Sequence, residues 1–424
     1  MTFDARAFVD GLDDADIKPV ELVVERATGR VRQAGASQTE GAWVRAFRAK
    51  CEASLYLFTK VILKRDYLTA GLHLPVCRWL QSFPPYRKLL LMPRWHGKSS
   101  IVAHGLPLHV IIQPKERNRY VANIAGTDCR ILLACETDPR VQDHVRVIEA
   151  ALEGNELFRA LWPHCTWAEP RRESKKWNST ELIVPRSTEW PDPTLRGVGV
   201  GGAITGAHPN VLIKDDLISF EAMNSPAVMH TAIQWHIASR ALLEQGDVGA
   251  ESSVEFIIGT RWAVHDLYQY IIDTECKGDA VDEETGKPMR PTDVVARAIV
   301  ENGVPIWPER VTLSKVAAYR GEFGVLFPLL FMNSAADPEL VDFDREQVRE
   351  FEIVAGHLLH WQDDERDIAL AELASGASMI GEAEHVPTNG VPQRGEHMTP
   401  ARWADLLMAR RGDAMHAPVR ARAL

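Results

Sequence analysis

Short apolar runs alternate with longer stretches of helical spacing through the middle of this chain. We predict buried strands in the apolar runs, because each is short and bounded by polar residues or glycine; they lie at 87–92, 119–127, 179–185, 209–216 and 252–262. Apolar residues at helical spacing predict helices at 46–82, 99–112 and 128–162. Strands that alternate with helices predict an α/β fold with a mostly parallel sheet flanked by helices, whose site lies at the carboxyl ends of the strands.

Both ends of the chain differ from this middle part. Residues 1–45 are charged and show little apolar periodicity, so we expect a loosely ordered leader before the helical lead-in that begins at 46. The polar segment 273–293 is expected to form a surface loop. Residues 351–424 are rich in glycine, proline and alanine towards their end, and we expect a largely flexible extension apart from a short helix at 400–410.

Composition narrows the class of protein. Hydrophobic residues make up 46% of the 424 residues and charged residues 25%, which is typical of a globular protein with a sizeable core. The formal net charge of −10 argues against a surface that coats nucleic acid by bulk attraction, so any contact with nucleic acid would have to be a local basic patch. The six cysteines include no Cys-x-x-Cys pair, and no apolar run reaches the roughly 18 residues of a membrane span. We therefore expect a soluble intracellular protein.

The stretch MPRWHGKSS at 92–100 contains the end of a phosphate-binding loop. In such loops backbone N–H groups and a helix N-terminus surround a phosphate, a lysine reaches the β- and γ-phosphates, and a hydroxyl binds Mg²⁺. Met92 stands where the Gly-x-x-x-x-Gly-Lys-Ser/Thr pattern has its first glycine, and Gly-Lys-Ser alone also occurs by chance. The strand before it and the helical stretch after it favour a nucleotide site made of Pro93, Arg94, Trp95, His96, Gly97, Lys98, Ser99 and Ser100.

Paired carboxylates end the apolar strand at 209–216. In a P-loop ATPase one acid at this place holds Mg²⁺ and its neighbour orients the attacking water, which would make Asp215 the metal-side acid and Asp216 catalytic. An isolated Asp-Asp pair more often only begins a turn. The joint presence of the strand with Gly-Lys-Ser and the strand with Asp-Asp favours the functional interpretation.

Three further residues are candidates for the same site. Arg94 lies within the loop, where a guanidinium could stabilise charge on the γ-phosphate, or could equally form a structural ion pair. Thr260 and Arg261 follow the strand at 252–262, where either could sense the γ-phosphate and relay its state. Alone, the tetrapeptide Gly-Thr-Arg-Trp at 259–262 would indicate no function. Its place at the end of a predicted strand makes it more informative.

Two other segments have open interpretations. The glycine-rich segment 196–210 is either a flexible loop near a ligand or a set of tight turns between strands. The segment RRESKKW at 171–177 is the clearest basic cluster, and such runs are usually solvated faces. The candidate DNA-binding residues in it are Arg171, Arg172, Lys175 and Lys176.

Taken together, these segments resemble a known family. LLLMPRWHGKS, PDPTLRGVGVGGAITGAHPNVLIKDD and FIIGTRWAVHDLY are similar, in order and spacing, to the Walker A, Walker B and coupling segments of the ATPase motor of large terminase subunits, the DNA-packaging enzymes of tailed bacteriophages. The resemblance covers roughly 46–350 and includes WPERVTLSKVAAYRGEFGVLFPLLFMN after the motor segments. It implies a RecA/ASCE-like P-loop fold, ATP and Mg²⁺ as cofactors, and a homo-oligomeric ring that docks on the portal of a procapsid in the host cytoplasm.

The resemblance also implies roles for individual residues. Lys98 and Ser99 would bind ATP and Mg²⁺, with Asp215 as the Walker B acid. Asp216 stands where many relatives have a catalytic glutamate, so its shorter side chain would need a different geometry. Arg94 would be the catalytic loop arginine and Thr260 the coupling residue. Double-stranded DNA and a small terminase subunit would be partners.

The chain departs from the family after residue 350. A large terminase continues with a nuclease domain that uses acidic residues and two metal ions, but only 74 residues (424 − 350) follow here. We expect surface charge rather than a metal site from Asp342, Asp344, Asp363, Asp364 and Asp367, and no nuclease activity. The nuclease would then be a separate chain or lost. A helicase-like or recombination ATPase, and a degenerate remnant that only binds partners, are the alternative functions.

Overall fold

The computed structural model describes residues 40–244, 253–276 and 292–334, together with short strands outside these ranges. The chain divides into two compact units, Met1–Ala336 and Asp337–Leu424. The first unit contains the antiparallel strand pair β1 (Leu22–Glu25) and β2 (Arg30–Gln33). No helix of the described residues is long and apolar enough to span a membrane.

A seven-stranded sheet is the centre of the first unit. Its strands are β3 (Arg87–Leu91), β4 (Ile131–Cys135), β5 (Glu181–Leu182), β6 (Leu195–Gly199), β7 (Val211–Asp215), β8 (Val254–Gly259) and β9 (Asp293–Ala296). Their order across the sheet is β5-β6-β4-β7-β8-β3-β9. All neighbours are parallel except β5, which pairs antiparallel with β6 at one edge. The predicted mostly parallel α/β sheet with flanking helices is therefore confirmed.

Helices cover this sheet and connect its strands. They are α1 (Glu40–Ala53), α2 (Leu55–Leu57), α3 (Ala70–Leu80), α4 (Leu106–Ile111), α5 (Asp138–Gly154), α6 (Glu156–Leu161), α7 (Pro170–Glu173), α8 (Phe220–Asn224), α9 (Pro226–Arg240), α10 (Leu267–Glu275), α11 (Leu313–Phe323) and α12 (Phe327–Met332). A π-helical turn at Phe58–Ile62 follows α2, and a second one at Ser100–Gly105 precedes α4. The helices predicted for 46–82 correspond to α1, α2 and α3.

Each central strand is buried on both faces. Along β4, Ile131, Leu133 and Cys135 pack into one apolar cluster, while Leu132 and Ala134 pack into a second cluster on the other face. Successive side chains of a strand point to opposite faces, so a strand covered by helices on both sides needs a continuous apolar run. This requirement explains why the central strands are among the most apolar segments of the chain.

Two segments of the sequence prediction were wrong, each for its own reason. The segment 128–162 was predicted as helix, but its first part is β4, because a fully buried strand cannot be distinguished from a buried helix by periodicity. The segment 119–127 was predicted as a strand and contains none. There the Asn118 side chain accepts hydrogen bonds from the N–H groups of Tyr120 and Val121, which forms a turn instead.

Three other segments complete the comparison with the sequence. The glycine-rich segment 196–210 contains most of β6, and the polar insert at 273–293 ends where β9 begins. A small antiparallel ribbon of β10 (Val300–Glu301) and β11 (Val304–Pro305) follows. In the second unit the described strands are β12 (Glu350–Val354), β13 (His357–His360), β14 (Gly381–Glu382), β15 (His397–Met398) and β16 (Ala421–Arg422). The predicted helix at 400–410 and the five acids of this region lie outside the described residues.

A buried network of charges joins the two middle strands to the helices on one face. Lys214 on β7 and Glu255 on β8 are fully buried, and their Nζ and Oε1 atoms are 2.6 Å apart. The Lys214 ammonium also donates to His236 Nδ1 at 3.0 Å, and His236 Nε2 lies 2.9 Å from Glu275. Burial works to raise the pKa of Glu255, but the charge of Lys214 outweighs it and lowers the pKa to about 2. The carboxylate is therefore ionised at neutral pH and depends on its partners.

We predict that Lys214→Met lowers the free energy of unfolding by about 3–5 kcal/mol, because the variant leaves Glu255 buried and charged without its main partner. Urea denaturation measures this change. Lys175→Met is the matched control, since Lys175 pairs with Glu189 at the surface and both side chains are more than 70% exposed. We expect the control to change stability by less than about 1 kcal/mol. Equal effects in the two variants would contradict a structural role for the buried pair.

Candidate active site

The loop at 92–99 joins β3 to the helical turn Ser100–Gly105 and has a defined backbone path. The Met92 N–H donates to the Gly259 carbonyl at 3.3 Å, and the Arg94 N–H donates to the Leu330 carbonyl at 3.1 Å. Trp95 and Gly97 have left-handed backbone angles, with φ of +64° and +79°. This is the strand, tight loop and helix that a phosphate-binding loop requires.

Two histidines, His73 outside the loop and His96 within it, hold the loop backbone by hydrogen bonds. The His73 Nε2–H donates to the His96 carbonyl at 3.2 Å, and His73 Nδ1 accepts from the Thr69 N–H at 2.9 Å. Burial lowers the pKa of His73 to about 4, so the ring is neutral at neutral pH and keeps this tautomer. The His96 Nδ1–H donates back to the Arg94 carbonyl at 2.7 Å. Both side chains therefore fix the loop backbone.

Lys98 connects the loop to the ends of two neighbouring strands. Its buried Nζ lies 3.1 Å from Asp216 Oδ1, just beyond β7, and donates to the hydroxyl of Thr260, just beyond β8. The parallel register of β3, β8 and β7 places these strand ends together. The structure thus brings together three of the residues that the sequence singled out.

The two adjacent carboxylates have different surroundings. Asp215, the last residue of β7, is fully buried, and neither carboxylate oxygen has a well-aligned hydrogen bond among the described residues. The Ser99 hydroxyl and the His144 ring lie close to it, with His144 Nε2 3.2 Å from Oδ2. Burial works to raise the pKa of Asp215, but His144, Lys98 and Ser99 outweigh it, so the pKa is lowered and the group is ionised.

Asp216 faces two cations instead. Its backbone is left-handed, with φ of +46°, and its N–H donates to the Ile258 carbonyl at 3.0 Å. Its carboxylate lies 3.1 Å from Lys98 Nζ and accepts from Arg140 at 3.0 Å. A strained left-handed aspartate at this place separates the two carboxylates, so that each has its own set of partners.

Two arginines lie near Asp216. The Arg94 guanidinium packs 4.6 Å from the centre of the Trp262 ring, and burial lowers its pKa although Asp216 works in the opposite direction. Arg140, in the first turn of α5, has a raised pKa because Asp216 and Asp215 outweigh its burial. The sequence prediction missed Arg140. The sequence offers one indication of Arg140, which is its position soon after the end of β4. That strand end was not recognised, because the segment 128–162 was predicted as helix.

Arg261 has local partners. Its guanidinium donates to Asp266 at 3.0 Å and to the carbonyls of Ala263 and Val264 at 3.1 and 2.9 Å. These bonds hold the turn between β8 and α10. Its neighbour Thr260 contacts Lys98, and the coupling role predicted for the two residues stays a prediction.

The remaining residues of the loop differ in exposure. The Trp95 ring is 62% exposed and packs beside the rings of Tyr319, Phe323 and Phe331, from α11 and α12. Ser100 accepts a hydrogen bond from the Tyr67 hydroxyl at 2.5 Å. Pro93 connects Met92 to Arg94 at the start of the loop.

The basic cluster has acidic partners throughout. Each of its four cations lies 2.7–2.9 Å from a glutamate; the pairs are Arg171–Glu149, Arg172–Glu169, Lys175–Glu189 and Lys176–Glu181. The cluster is therefore locally balanced in charge. Its predicted contact with DNA stays a prediction, and phosphates would have to compete with these carboxylates.

Asp215 and Ser99 fit a magnesium ion bound together with a nucleotide. Mg²⁺ prefers oxygen ligands and commonly takes only one or two protein carboxylates, with phosphates and water completing its shell. A buried, ionised carboxylate without well-aligned partners beside a serine hydroxyl matches that donor set. No group of three or more His, Cys, Asp or Glu side chains in the described part of the chain could hold a metal ion. A site completed by phosphate oxygens does not need one.

The fold and the site together define an α/β protein with a candidate phosphate-binding loop at the carboxyl ends of its parallel strands. No protein-family model matches the chain, and no curated protein matches it. Among solved structures, the large terminase ATPase domain of Thermus phage P74-26 is similar, in a mutant and a non-mutant form, with TM-scores of 0.37 and 0.36. Both share 15% identity and cover 61% of this chain and 91% of that chain. These values are too low for a conclusion about fold or function.

We predict that Gly97→Ala destabilises the protein more than Gly201→Ala does. Both glycines are left-handed, so each substitution costs about 1–2 kcal/mol of backbone strain. A Cβ at Gly97 would also lie 3.3 Å from His73 and Leu68, whereas nothing lies within 4 Å of one at Gly201. We expect about 1 kcal/mol of additional destabilisation from this crowding, measured by urea denaturation. An equal or smaller effect at Gly97 would contradict the tight packing behind the loop.

Proposed function

We propose that this chain is a Mg²⁺-dependent ATPase. The observation that carries the proposal is the convergence on Lys98 of Thr260 and Asp216, with the metal-side carboxylate of Asp215 beside Ser99. A lysine that leaves a tight strand-to-helix loop and meets a carboxylate at the end of another strand of the same sheet is an arrangement that P-loop ATPases use for phosphoryl transfer. A turn that merely contained Gly-Lys-Ser would not need its lysine buried among these groups.

In this proposal ATP lies along the loop, and the protein acts by positioning and electrostatics. Backbone N–H groups around Gly97 and the Lys98 ammonium bind the phosphates. Ser99 and Asp215 would hold Mg²⁺, whose charge would neutralise phosphate and polarise the γ-phosphoryl group. Arg94 lies near enough to Asp216 for their charges to interact, and it stabilises negative charge that develops at the same place.

Asp216 must change partners before it can act on water. In the structure its carboxylate is neutralised by Lys98 and Arg140. Phosphates that bind the loop compete for the Lys98 ammonium, because their negative charge is larger than that of one carboxylate. Asp216 would then keep only Arg140 as a cationic partner and could accept a hydrogen bond from the attacking water and orient it.

The biological role that we propose is that of the motor subunit of a viral DNA-packaging terminase. The support for it is the order and spacing of the three sequence segments that resemble terminase motors. The chain would translocate double-stranded DNA into a procapsid as part of a ring on the portal, with a small terminase subunit as partner.

We predict that Lys98→Ala lowers the rate of ATP hydrolysis by about 100-fold or more, because the variant lacks the charge that stabilises the transferring phosphoryl group. A phosphate-release assay at saturating Mg²⁺ and ATP measures this rate. Lys175→Ala is the matched control, since it removes a lysine from an exposed ion pair. Turnover that is unchanged in Lys98→Ala would contradict the proposed ATPase.

We also predict that double-stranded DNA raises the rate of ATP hydrolysis and that the protein does not unwind a forked duplex. Packaging motors move along an intact duplex, so stimulation without strand separation distinguishes them from helicases. The same preparation is assayed for hydrolysis and unwinding, with Lys98→Ala as the inactive control. Strand separation would contradict a packaging motor and favour a helicase-like enzyme.

A further inference from the structure

A cleft of about 520 Å³ lies between α5 and the helical segment 100–111 that follows the phosphate loop. Its walls come from the turn at 63–65, from His104 and Leu108 of the helical segment, and from the second half of α5 and the start of α6. We call it the α4–α5 cleft. None of the residues assigned to the candidate active site lines it. Its volume is that of a small-molecule site, since such sites typically enclose about 300–1,000 Å³.

Much of the wall of the α4–α5 cleft is apolar. Its aliphatic side chains include Leu108 of α4, Val147 and Ala151 of α5, and Leu157 of α6. Gly154, the last residue of α5, adds no side chain, and nothing lies within 4 Å of a Cβ built on it. The end of α5 therefore leaves open space beside an aliphatic surface, which suits the apolar body of a ligand.

Two adjacent cations, Lys64 and Arg65, also line the cleft. Neither forms an ion pair with any residue that the structure describes, and the buried Nε of Arg65 has no hydrogen-bond partner there. Glu156 is the one acid among the described lining residues, and it has an interaction of its own. The lining is therefore net positive in a chain whose formal net charge is −10. Unpaired arginine donors of this kind call for a partner.

The backbone at Lys64 adds to this picture. Lys64 has a left-handed backbone, with φ of +54°, and lies just after the C-cap residue of the π-helical turn Phe58–Ile62. Helices commonly end with a left-handed residue at this place, and it is usually glycine or asparagine. A lysine there carries backbone strain that a glycine would not. The chain thus has a cation at the cleft in a position where glycine would be the more stable residue.

We propose that the α4–α5 cleft binds a small organic anion. Its anionic group, a phosphate or a carboxylate, lies at Lys64 and Arg65, and its apolar body lies against α4 and α5. An arginine supplies a planar fork of donors that matches both anions, and a lysine supplies a point charge. The aliphatic wall removes apolar surface of the ligand from water. The proposal does not depend on the ATPase function, because no residue of that site takes part.

A pair of fluorescent probes tests whether the cleft needs the anionic group. Anilinonaphthalene sulfonate combines an apolar body with one anion, and phenylnaphthylamine has the same rings without the sulfonate. The affinity of each probe for the full chain is measured by fluorescence titration. We expect the sulfonate to bind about tenfold more tightly, because hydrogen bonds to charged groups are the stronger ones. Equal affinities would overturn the proposal, since the two cations would then play no part.

Two substitutions test the cleft without removing a packed side chain. Lys64→Gly removes the ammonium and relieves the left-handed strain. Gly154→Leu adds a side chain in open space, and leucine is the better helix former. We expect about tenfold weaker binding of the sulfonate probe in each variant. Lys115→Gly, at an exposed turn, and Gly71→Leu, at a helical glycine with open space around it, are the matched controls with wild-type affinity.

Urea denaturation shows whether these variants fold, and we expect neither Lys64→Gly nor Gly154→Leu to be less stable than wild type. Unchanged affinity for the sulfonate probe in either variant would overturn the proposal, because the probe would then bind elsewhere on the protein. An equal loss in Lys98→Ala would also overturn it, because that result would place the probe at the phosphate loop. Failure of the ATPase function appears instead in the hydrolysis assay and leaves this binding unchanged.

Competition identifies the anionic group of the ligand. Phenyl phosphate and benzoate share one apolar ring and differ in their anion. Displacement of the sulfonate probe by phenyl phosphate would support the proposal with a phosphate as the anion, and displacement by benzoate would support it with a carboxylate. Displacement by neither compound would overturn the proposal.

Discussion

The site depends on accommodating two adjacent carboxylates, Asp215 and Asp216, in the interior of the protein. Two buried negative charges next to each other are unfavourable unless each has its own compensation. The chain separates them by a left-handed backbone at Asp216, which turns that side chain towards Lys98 and Arg140. The Asp215 side chain lies beside Ser99 and His144 instead. The surrounding elements are arranged to meet this electrostatic requirement.

The parallel sheet is what makes the compensation possible. The loop lysine, the paired acids and Thr260 come from β3, β7 and β8, which are neighbours in the sheet although they are distant in sequence. Their carboxyl ends lie at one edge because the strands are parallel. Beneath this edge the Lys214–Glu255 pair joins β7 to β8 from within, so the register of these two strands is also held by charge. Strand pairing and site geometry therefore both depend on β7 and β8.

The sequence predicted the parts of the site that lie on strand ends, and missed the parts that reach it from helices. Lys98, Asp215, Asp216 and Thr260 each follow an apolar run, so their proximity follows from the α/β pattern alone. Arg140 and His144 reach the site because of where α5 crosses the sheet after β4. That position cannot be read from the sequence when a fully buried strand has the same apolar pattern as a helix. His73 acts on a loop 23 residues away in sequence, through a contact that only tertiary packing creates.

The missing first glycine of the loop has a physical explanation. A glycine is required only where the backbone adopts a left-handed angle or approaches another group closely. Met92 has no left-handed backbone; it is buried, and its N–H donates to Gly259, so it continues the pairing of β3 with β8. The turn is made later, by Trp95 and Gly97, and the Arg94 N–H is bound to the Leu330 carbonyl of α12. The left-handed positions of this loop therefore lie close to Lys98, at Trp95 and Gly97. Met92 needs no left-handed backbone and packs in the hydrophobic core.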